Sequence, residues 1–231
     1  LVNQSAKTHF MFGGQSSAPL VVRTPHGGGL NAGAQHSQCL EAWFAHIPGL
    51  IVTCPSNSAD AYGLLRASIS NPNPVVFVEN KSLYAKKSTL SDAPEPVELG
   101  AARITRTGTN VTIVTYGAAV HWAEDAALEL AGDGIECEIL DLRTLQPWDE
   151  STVLTSLSKT HRLVIFHEAV EAFGIGAEIA ARMVDIGFDE LDAPIRRVGA
   201  PYTPVPYSPA LESEYAPSAA KLTSVVKQIV E

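Results

Sequence analysis

The amino-acid sequence predicts an α/β protein with two open parallel-sheet domains. Short runs of apolar, often β-branched residues alternate with segments of helical periodicity, at the intervals of strand–helix–strand units. Parallel neighbours in a sheet cannot be joined by a tight turn, so the intervening helices indicate crossover connections. One polar, proline-bearing stretch interrupts this alternation and divides the chain in two.

In the first half of the chain, the apolar pattern predicts part of an α/β sheet. Strands are predicted at 19–23, 49–55 and 74–80, and helices at 1–12, 39–46 and 57–70. A glycine-rich loop extends from Thr24 to about Gln38. The chain begins without methionine, inside a helix-like segment, so we expect the first half to be the latter part of a domain whose beginning lies upstream.

A domain boundary is predicted where the sequence becomes polar and proline-bearing, in KKSTLSDAPEPVELG. The first domain is placed at residues 1–88, a linker at 89–103 and the second domain at 104–231. In the second domain, strands are predicted at 111–117, 136–142, 162–168 and 194–199, and helices at 119–131, 150–158, 176–186 and 217–230. A proline-rich loop precedes the last helix, and the whole pattern predicts a complete open α/β sheet.

Composition excludes several classes of function. The formal net charge of −9 and the isoelectric point near 5.2 are opposite to the basic surface that binds nucleic acid. No apolar run approaches the roughly 20 residues that span a bilayer, so we expect no membrane insertion. Cys39, Cys54 and Cys137 form no C-x-x-C pair, which predicts thiols in a reducing compartment and no zinc site.

The glycine-rich loop is the first place to look for chemistry, because ligands of open parallel sheets bind beyond the carboxyl ends of the strands. The loop matches neither the dinucleotide-binding pattern nor the phosphate-binding loop, so a nucleotide site is not predicted. His36, near its end, could transfer protons at neutral pH or could only stabilise the loop, and spacing alone leaves both open. His46 is interpreted as a residue at a helix end.

Two other segments carry polar groups at strand or helix ends. His167 and Glu168 follow the strand RLVIF, and since neighbours on a strand point to opposite faces, they are interpreted as loop-anchoring or interface residues. In SISNPN, the end of a helix offers oxygen atoms that suit a hard cation, although turn hydrogen bonds or water are the more common partners. The sequence contains no common hydrolase, metalloprotease or kinase motif.

In order and over essentially the whole chain, the sequence resembles the beta subunit of the thiamine-diphosphate-dependent component of 2-oxo acid dehydrogenase complexes. The segments that carry the resemblance are GAQHSQCLEAWFAHIPGLIVTCPSNSADAYGLLRASISNPNPVVFVENKSLY, DLRTLQPWD, VIFHEA, GIGAEIAA, LDAPIRRV and TPVPYSPALE. The resemblance implies a transketolase-like fold. Residues 1–88 would be the latter part of a pyrimidine-binding domain, and residues 104–231 a transketolase C-terminal-like domain.

The same resemblance implies roles for individual residues. His36 of the HSQ motif would face the cofactor and assist proton transfer as the acyl unit passes to a lipoyl group. A potassium ion would be held by Leu20, Ser68, Ile69, Asn71 and Asn73. Asn71 stands where family members carry an acidic residue, so the site has lost a charge. The glutamate that activates thiamine diphosphate would lie upstream, and the ligands of its diphosphate and of Mg²⁺ would belong to an alpha subunit.

The resemblance also implies an α2β2 enzyme that decarboxylates a small-molecule 2-oxo acid, pyruvate or a branched-chain acid, and acylates a lipoylated acyltransferase core. A beta subunit of acetoin dehydrogenase is an alternative, because the same segments fit it. A further alternative is a non-catalytic segment that docks the acyltransferase core through the acidic run of Asp189, Glu190 and Asp192. The expected compartment is the cytoplasm of a bacterium or the mitochondrial matrix of a eukaryote.

Overall fold

The computed structural model describes residues 1–87 and 97–231, which form two sheets with helices packed against them. The α-helices are α1 (Ser5–Met11), α2 (Gly33–His36), α3 (Glu41–Ala45), α4 (Ser58–Ser70), α5 (Ala119–Gly132), α6 (Glu150–Thr160), α7 (Ile175–Gly187), α8 (Pro209–Tyr215) and α9 (Ala219–Val230). The strands are β1 (Val21–His26), β2 (Ile51–Thr53), β3 (Val75–Asn80), β4 (Arg103–Arg106), β5 (Val111–Thr115), β6 (Cys137–Asp141), β7 (Thr144–Gln146), β8 (Leu163–Val170) and β9 (Arg196–Ala200). Short 3-10 helices lie at Lys81–Leu83 and Phe188–Glu190.

The first sheet has the strand order β1-β3-β2-β7. β3 lies between β1 and β2 and pairs in parallel with both, so that Val75 faces Val21 on one side and Ile51 on the other. The first four residues of β3, VVFV, are buried, as expected for a strand covered on both faces. β7 pairs antiparallel with β2 and comes from the second half of the chain, so this sheet contains strands from both halves.

The second sheet has the order β4-β6-β5-β8-β9 and lies entirely in the second half. β5, β6, β8 and β9 are parallel, whereas β4 pairs antiparallel with β6 at the edge. The α/β class with two mainly parallel sheets is therefore confirmed. Each sheet also carries one antiparallel edge strand, β7 in the first and β4 in the second.

The elements that sequence reasoning missed are short or polar. β7 has three residues, and β4 is the polar edge segment RITR, which lacks an apolar run. α8 occupies part of the segment predicted as a proline-rich loop. Residues 88–96, which include most of the linker predicted at 89–103, lie outside the described residues, and the predicted domain limits stay predictions.

One hydrophobic core joins the two halves. Val52 and Val76 of the first half pack in the same cluster as Leu140, Leu145 and Ile165 of the second half, and all five are at most 1% exposed. A second cluster fills the space between the second sheet and helices α5 and α9. In the described part of the chain, no helix is long and apolar enough to cross a membrane.

A charge cluster around two buried aspartates, Asp60 and Asp141, also joins the halves. The hydroxyl of Ser56 donates to the Asp141 carboxylate at 2.5 Å. Arg103 lies 3.1 Å from Asp60 and 3.4 Å from Asp141, and Arg143 lies 3.3 Å from Asp60. Burial raises the pKa of Asp141 to about 7; Ser56 and Arg103 lower it and Asp60 raises it further. Breaking such a buried network by removing one partner is costly, because the other charge is left uncompensated.

This pKa makes stability depend on pH. Since the pKa of Asp141 is higher in the folded chain than the ordinary value of 3.8, the folded state holds this proton more tightly, and the stabilisation is lost as pH rises through about 7. Asp141→Asn lacks this proton-binding group and serves as the reference. Between about pH 5 and pH 8, we expect the free energy of unfolding of the wild type to fall by on the order of 2 kcal/mol more than that of the variant. Denaturant titrations at both pH values measure this difference, and parallel pH profiles of the two proteins would contradict it.

Candidate active site

The loop that follows β1 lies where the carboxyl ends of three parallel strands meet. β1 ends at His26, β2 at Thr53 and β3 at Asn80. The loop runs through Gly27, Gly28 and Gly29 and then forms the short helix α2, whose last residue is His36. This edge of the sheet is where ligands bind in open α/β folds, so the loop and its surroundings form the candidate site.

Two carboxylates from the second half hold the glycine-rich loop by its backbone. Glu168 in β8 accepts hydrogen bonds from the Gly28 amide at 2.6 Å and from the Asn80 side chain at 2.5 Å. Glu212 in α8 accepts from the amides of Gly29 at 2.7 Å and Asn31 at 2.8 Å. The interpretation of Glu168 as a loop-anchoring residue is confirmed.

Sequence reasoning missed Glu212 because its helix was predicted as part of a loop. The signal was present in SPALESE, where Ser208 precedes a proline in the first turn and Glu212 lies in that same turn. Proline is common at the first position of a helix, and acidic residues are common in the first turn. Glu212 is only 5% exposed, which for a carboxylate indicates specific partners.

His36 is exposed at the end of α2, and its side chain lines a cavity of about 340 Å³. The cavity is also lined by Gln35, Gln38 and Lys81. Lys81 donates a hydrogen bond to the backbone carbonyl of His36, which ties the end of α2 to the residues after β3. The His36 imidazole has no hydrogen-bond partner among the described residues, so both ring nitrogens are available to a ligand in the cavity. Its catalytic role stays a prediction.

Beneath the cavity lies a chain of buried polar side chains. The Nδ1 atom of His26 is 3.5 Å from the Glu41 carboxylate, whose other oxygen accepts from the Tyr116 hydroxyl at 2.7 Å. The Tyr116 ring stacks on His167 with ring centroids 5.9 Å apart. Burial alone would raise the pKa of Glu41, but the neighbouring His26 imidazole and the Tyr116 hydroxyl lower it to about 2. Glu41 is therefore an ionised carboxylate inside the protein.

The remaining histidine interpretations can be placed in the structure. His46 is exposed and caps the end of α3, as predicted. His167 is fully buried; its Nδ1 atom lies 3.2 Å from the Ala169 carbonyl, and burial lowers its pKa. Glu168, the next residue, points to the loop, so the two neighbours face opposite ways as expected.

The predicted potassium ligands lie at the opposite edge of the first sheet from His36, around the start of β1 and the end of α4. The Leu20 carbonyl accepts from the Val75 amide at 2.8 Å, and the Ser68 carbonyl accepts from the Asn71 amide at 3.3 Å. The Asn71 side chain accepts from the Asn73 amide at 2.9 Å, and Ile69 is 65% exposed. Hydrogen bonds of the sheet and of the turn thus use part of this oxygen set, and the potassium site stays a prediction.

Helix α2 depends on glycine at its first position. Gly33 has φ of 69°, and a Cβ atom there would lie 2.2 Å from the Tyr207 ring. We expect Gly33→Ala to lower the free energy of unfolding by on the order of 1 to 2 kcal/mol, because a left-handed backbone is unfavourable for residues with a Cβ atom. The matched control is Gly132→Ala at the end of α5, where a Cβ atom meets nothing within 4 Å. Denaturant titration compares the variants, and equal stability would contradict this account of α2.

Comparisons with known proteins agree with the fold. Residues 1–87 match the model of the pyrimidine binding domain of transketolase, and residues 100–222 match the model of the transketolase C-terminal domain. Among solved structures, a chain described as "Split gene transketolase, inactive beta4 tetramer" superposes with a TM-score of 0.77 over 93% of this chain and 67% of its own length. Its sequence is 21% identical, so this likeness supports the fold alone.

Curated relatives match along the whole chain. The beta subunit of acetoin:2,6-dichlorophenolindophenol oxidoreductase from Bacillus subtilis is 46% identical over 100% of this chain and 67% of its own length. The subunit of the same name from Cupriavidus necator is 45% identical over 100% of this chain and 68% of its own length. The pyruvate dehydrogenase E1 component subunit beta of Rhizobium meliloti is 44% identical over 99% of this chain and 50% of its own length. The chain therefore belongs to the transketolase-like family that includes the beta subunits of acetoin and pyruvate dehydrogenases.

Proposed function

We propose that this chain belongs to the beta subunit of a thiamine-diphosphate-dependent 2-oxo acid dehydrogenase component. With an alpha subunit, it would decarboxylate pyruvate or a branched-chain 2-oxo acid and acylate a lipoyl group. The observation that carries the proposal is the identity of 44% to 46% with named beta subunits over 99% to 100% of this chain. The position of His36 at the carboxyl edge of the sheet supports it.

Within this proposal, His36 transfers protons to and from the reacting group. Its imidazole is exposed at the cavity. Lys81 binds the backbone carbonyl of His36, and Glu212 binds backbone amides earlier in the same loop, so the backbone that carries the imidazole is fixed. A histidine with free ring nitrogens near neutral pH can serve as acid and as base. When bound, thiamine diphosphate would supply the carbanion that attacks the 2-oxo carbonyl, and the protein would position it and handle protons.

The carboxylates near the cavity fit a divided cofactor site. Glu168 and Glu212 already accept loop hydrogen bonds, and Glu41 faces His26 and Tyr116. The proposal therefore keeps these carboxylates in structural contacts. The activating glutamate would lie upstream of this chain, and an alpha subunit would supply the ligands of the diphosphate and Mg²⁺.

Partners and ions follow from the same proposal. The alpha subunit would complete an α2β2 enzyme, and a lipoylated acyltransferase core would receive the acyl group. Asp189 and Asp192 are exposed and would suit a basic docking domain of that core.

A potassium ion bound by Leu20, Ser68, Ile69, Asn71 and Asn73 is also part of the proposal. Bound potassium would stabilise the folded protein, so equal thermal unfolding temperatures in potassium and tetramethylammonium salts would count against this site. A bacterial cytoplasm or a mitochondrial matrix is the proposed compartment.

Acetoin dehydrogenase is the second candidate function, because two of the relatives, 46% and 45% identical, are acetoin-oxidising beta subunits. In either case the substrate would bind beside the alpha subunit. Assays of the reconstituted alpha–beta enzyme with pyruvate, 2-oxoisovalerate and acetoin would discriminate between them.

Replacing His36 tests the proposal. In the full beta subunit that contains this chain, reconstituted with its alpha subunit, we expect His36→Ala to reduce lipoyl acylation by about 10² to 10⁴-fold, the usual contribution of a proton-transferring side chain. The control is His46→Ala, which changes an exposed histidine at the end of α3 and should leave the rate unchanged. Undiminished acylation by His36→Ala would favour the alternative of a scaffold that only docks the acyltransferase core.

A further inference from the structure

Three side chains of metal-binding types converge beneath the glycine-rich loop. His26 is the last residue of β1, Cys39 follows α2, and Glu41 is the first residue of α3. One ligand atom of each lies within 4.8 Å of those of the other two. His26 is 6% exposed and Glu41 is 1% exposed, whereas Cys39 is partly buried. The cluster joins three separate segments at one point, so sequence spacing did not reveal it.

Two atoms of this cluster are buried without a hydrogen-bond partner in the described part of the chain. They are Nδ1 of His26 and Oε2 of Glu41, which face each other at 3.5 Å. Unpaired buried polar atoms are unfavourable and uncommon in native proteins, so each one calls for an explanation. An ion between them, in contact with the Cys39 sulfur, would satisfy both.

On the side chains of Glu41 and His26, the atom that points away from the cluster already has a contact. Oε1 of Glu41 accepts from the Tyr116 hydroxyl at 2.7 Å, and Nε2 of His26 lies 3.7 Å from the sulfur of Cys54. Metal-ligating histidines and carboxylates are commonly oriented in this way, by a contact through the atom that does not bind the metal. The contacts therefore leave Nδ1, Oε2 and the Cys39 sulfur as the converging set.

We propose that His26, Cys39 and Glu41 bind one thiophilic divalent cation of the zinc type. Nitrogen, sulfur and oxygen donors together suit Zn²⁺, whereas Mg²⁺ and Ca²⁺ prefer oxygen alone. The cavity lined by His26 and Glu41, about 340 Å³ in volume, has room for a water molecule as the fourth ligand. Such an ion would tie the end of β1 to the start of α3, on either side of the loop that carries His36.

The competing explanation is a buried ion pair between His26 and Glu41 beside a neutral thiol. That arrangement needs no metal and gives no optical signal with cobalt. Zinc is spectroscopically silent, but Co²⁺ bound to a thiolate produces a sulfur-to-cobalt charge-transfer band and the visible bands of a tetrahedral site. Cobalt titration therefore separates the two explanations without relying on catalysis.

The test is metal analysis of the full protein purified without added metal or chelator, followed by cobalt titration of the metal-free form. We expect about one zinc per chain, as for a site with three protein ligands and one water, and a charge-transfer band that disappears in Cys39→Ser. Glu41→Gln should keep the band and weaken cobalt binding by at least the roughly 10 to 100-fold lost with an outer-shell partner, because here a direct ligand loses its charge. Cys137→Ser is the matched control, since this buried thiol lies in the second sheet. This variant should keep both the charge-transfer band and the content of about one zinc per chain.

Three results would overturn the proposal. One is wild-type protein that holds no zinc and gives no charge-transfer band with cobalt. Another is a band that persists in Cys39→Ser but is lost in Cys54→Ser, which would assign the sulfur ligand elsewhere. The third is unchanged cobalt affinity of a folded Glu41→Gln protein, with folding checked by circular dichroism. These readouts do not depend on the dehydrogenase activity, so a negative result leaves the proposed function untouched.

Discussion

The candidate site depends on two carboxylates, the buried Glu212 and the partly buried Glu168, that bind a loop with almost no side chains. Residues Gly27, Gly28 and Gly29 cannot be fixed by packing, so their position must be set through the backbone. Glu168 and Glu212 do this with three hydrogen bonds to amides between Gly28 and Asn31. Hydrogen bonds to charged acceptors contribute about 1.5 to 3 kcal/mol each, more than those between neutral groups.

This arrangement couples the two halves of the chain. The loop and His36 belong to the first half, and both carboxylates belong to the second. The same coupling appears in the first sheet, which takes β7 from the second half, and in the core that packs Val52 against residues such as Leu140. The geometry of His36 is therefore a property of both halves together, even though the family models divide them into separate domains.

Much of this fold could be predicted from the sequence, because strands buried on both faces appear as apolar runs. VVFV in β3 and VTIVT in β5 were predicted as strands for that reason. β4 and β7 were missed because a short or polar edge strand gives no such run, and its pairing is decided by tertiary contacts. α8 was missed although proline and acidic residues marked its beginning.

The site was predictable only in part. His36 could be singled out because, in an open α/β fold, the loop after a strand lies at the edge of the sheet where ligands bind. The resemblance then suggested its role. The pairing of His26 with Glu41 could not be foreseen, because residues 15 positions apart are brought together by a turn, a short helix and a loop. Glu212 lies more than 180 positions from Asn31, and only the folded chain brings them together.

Amide hydrogen exchange of the loop tests the central claim most directly. In Glu212→Gln, one acceptor oxygen becomes an amide nitrogen, so we expect the amides of Gly29 or Asn31 to exchange at least about tenfold faster than in the wild type, while Gly28, bound to Glu168, changes less. Glu214→Gln, which changes an exposed neighbour in the same helix, should leave all three amides unchanged. Equal exchange in wild type and Glu212→Gln would contradict the account that these carboxylates hold the loop.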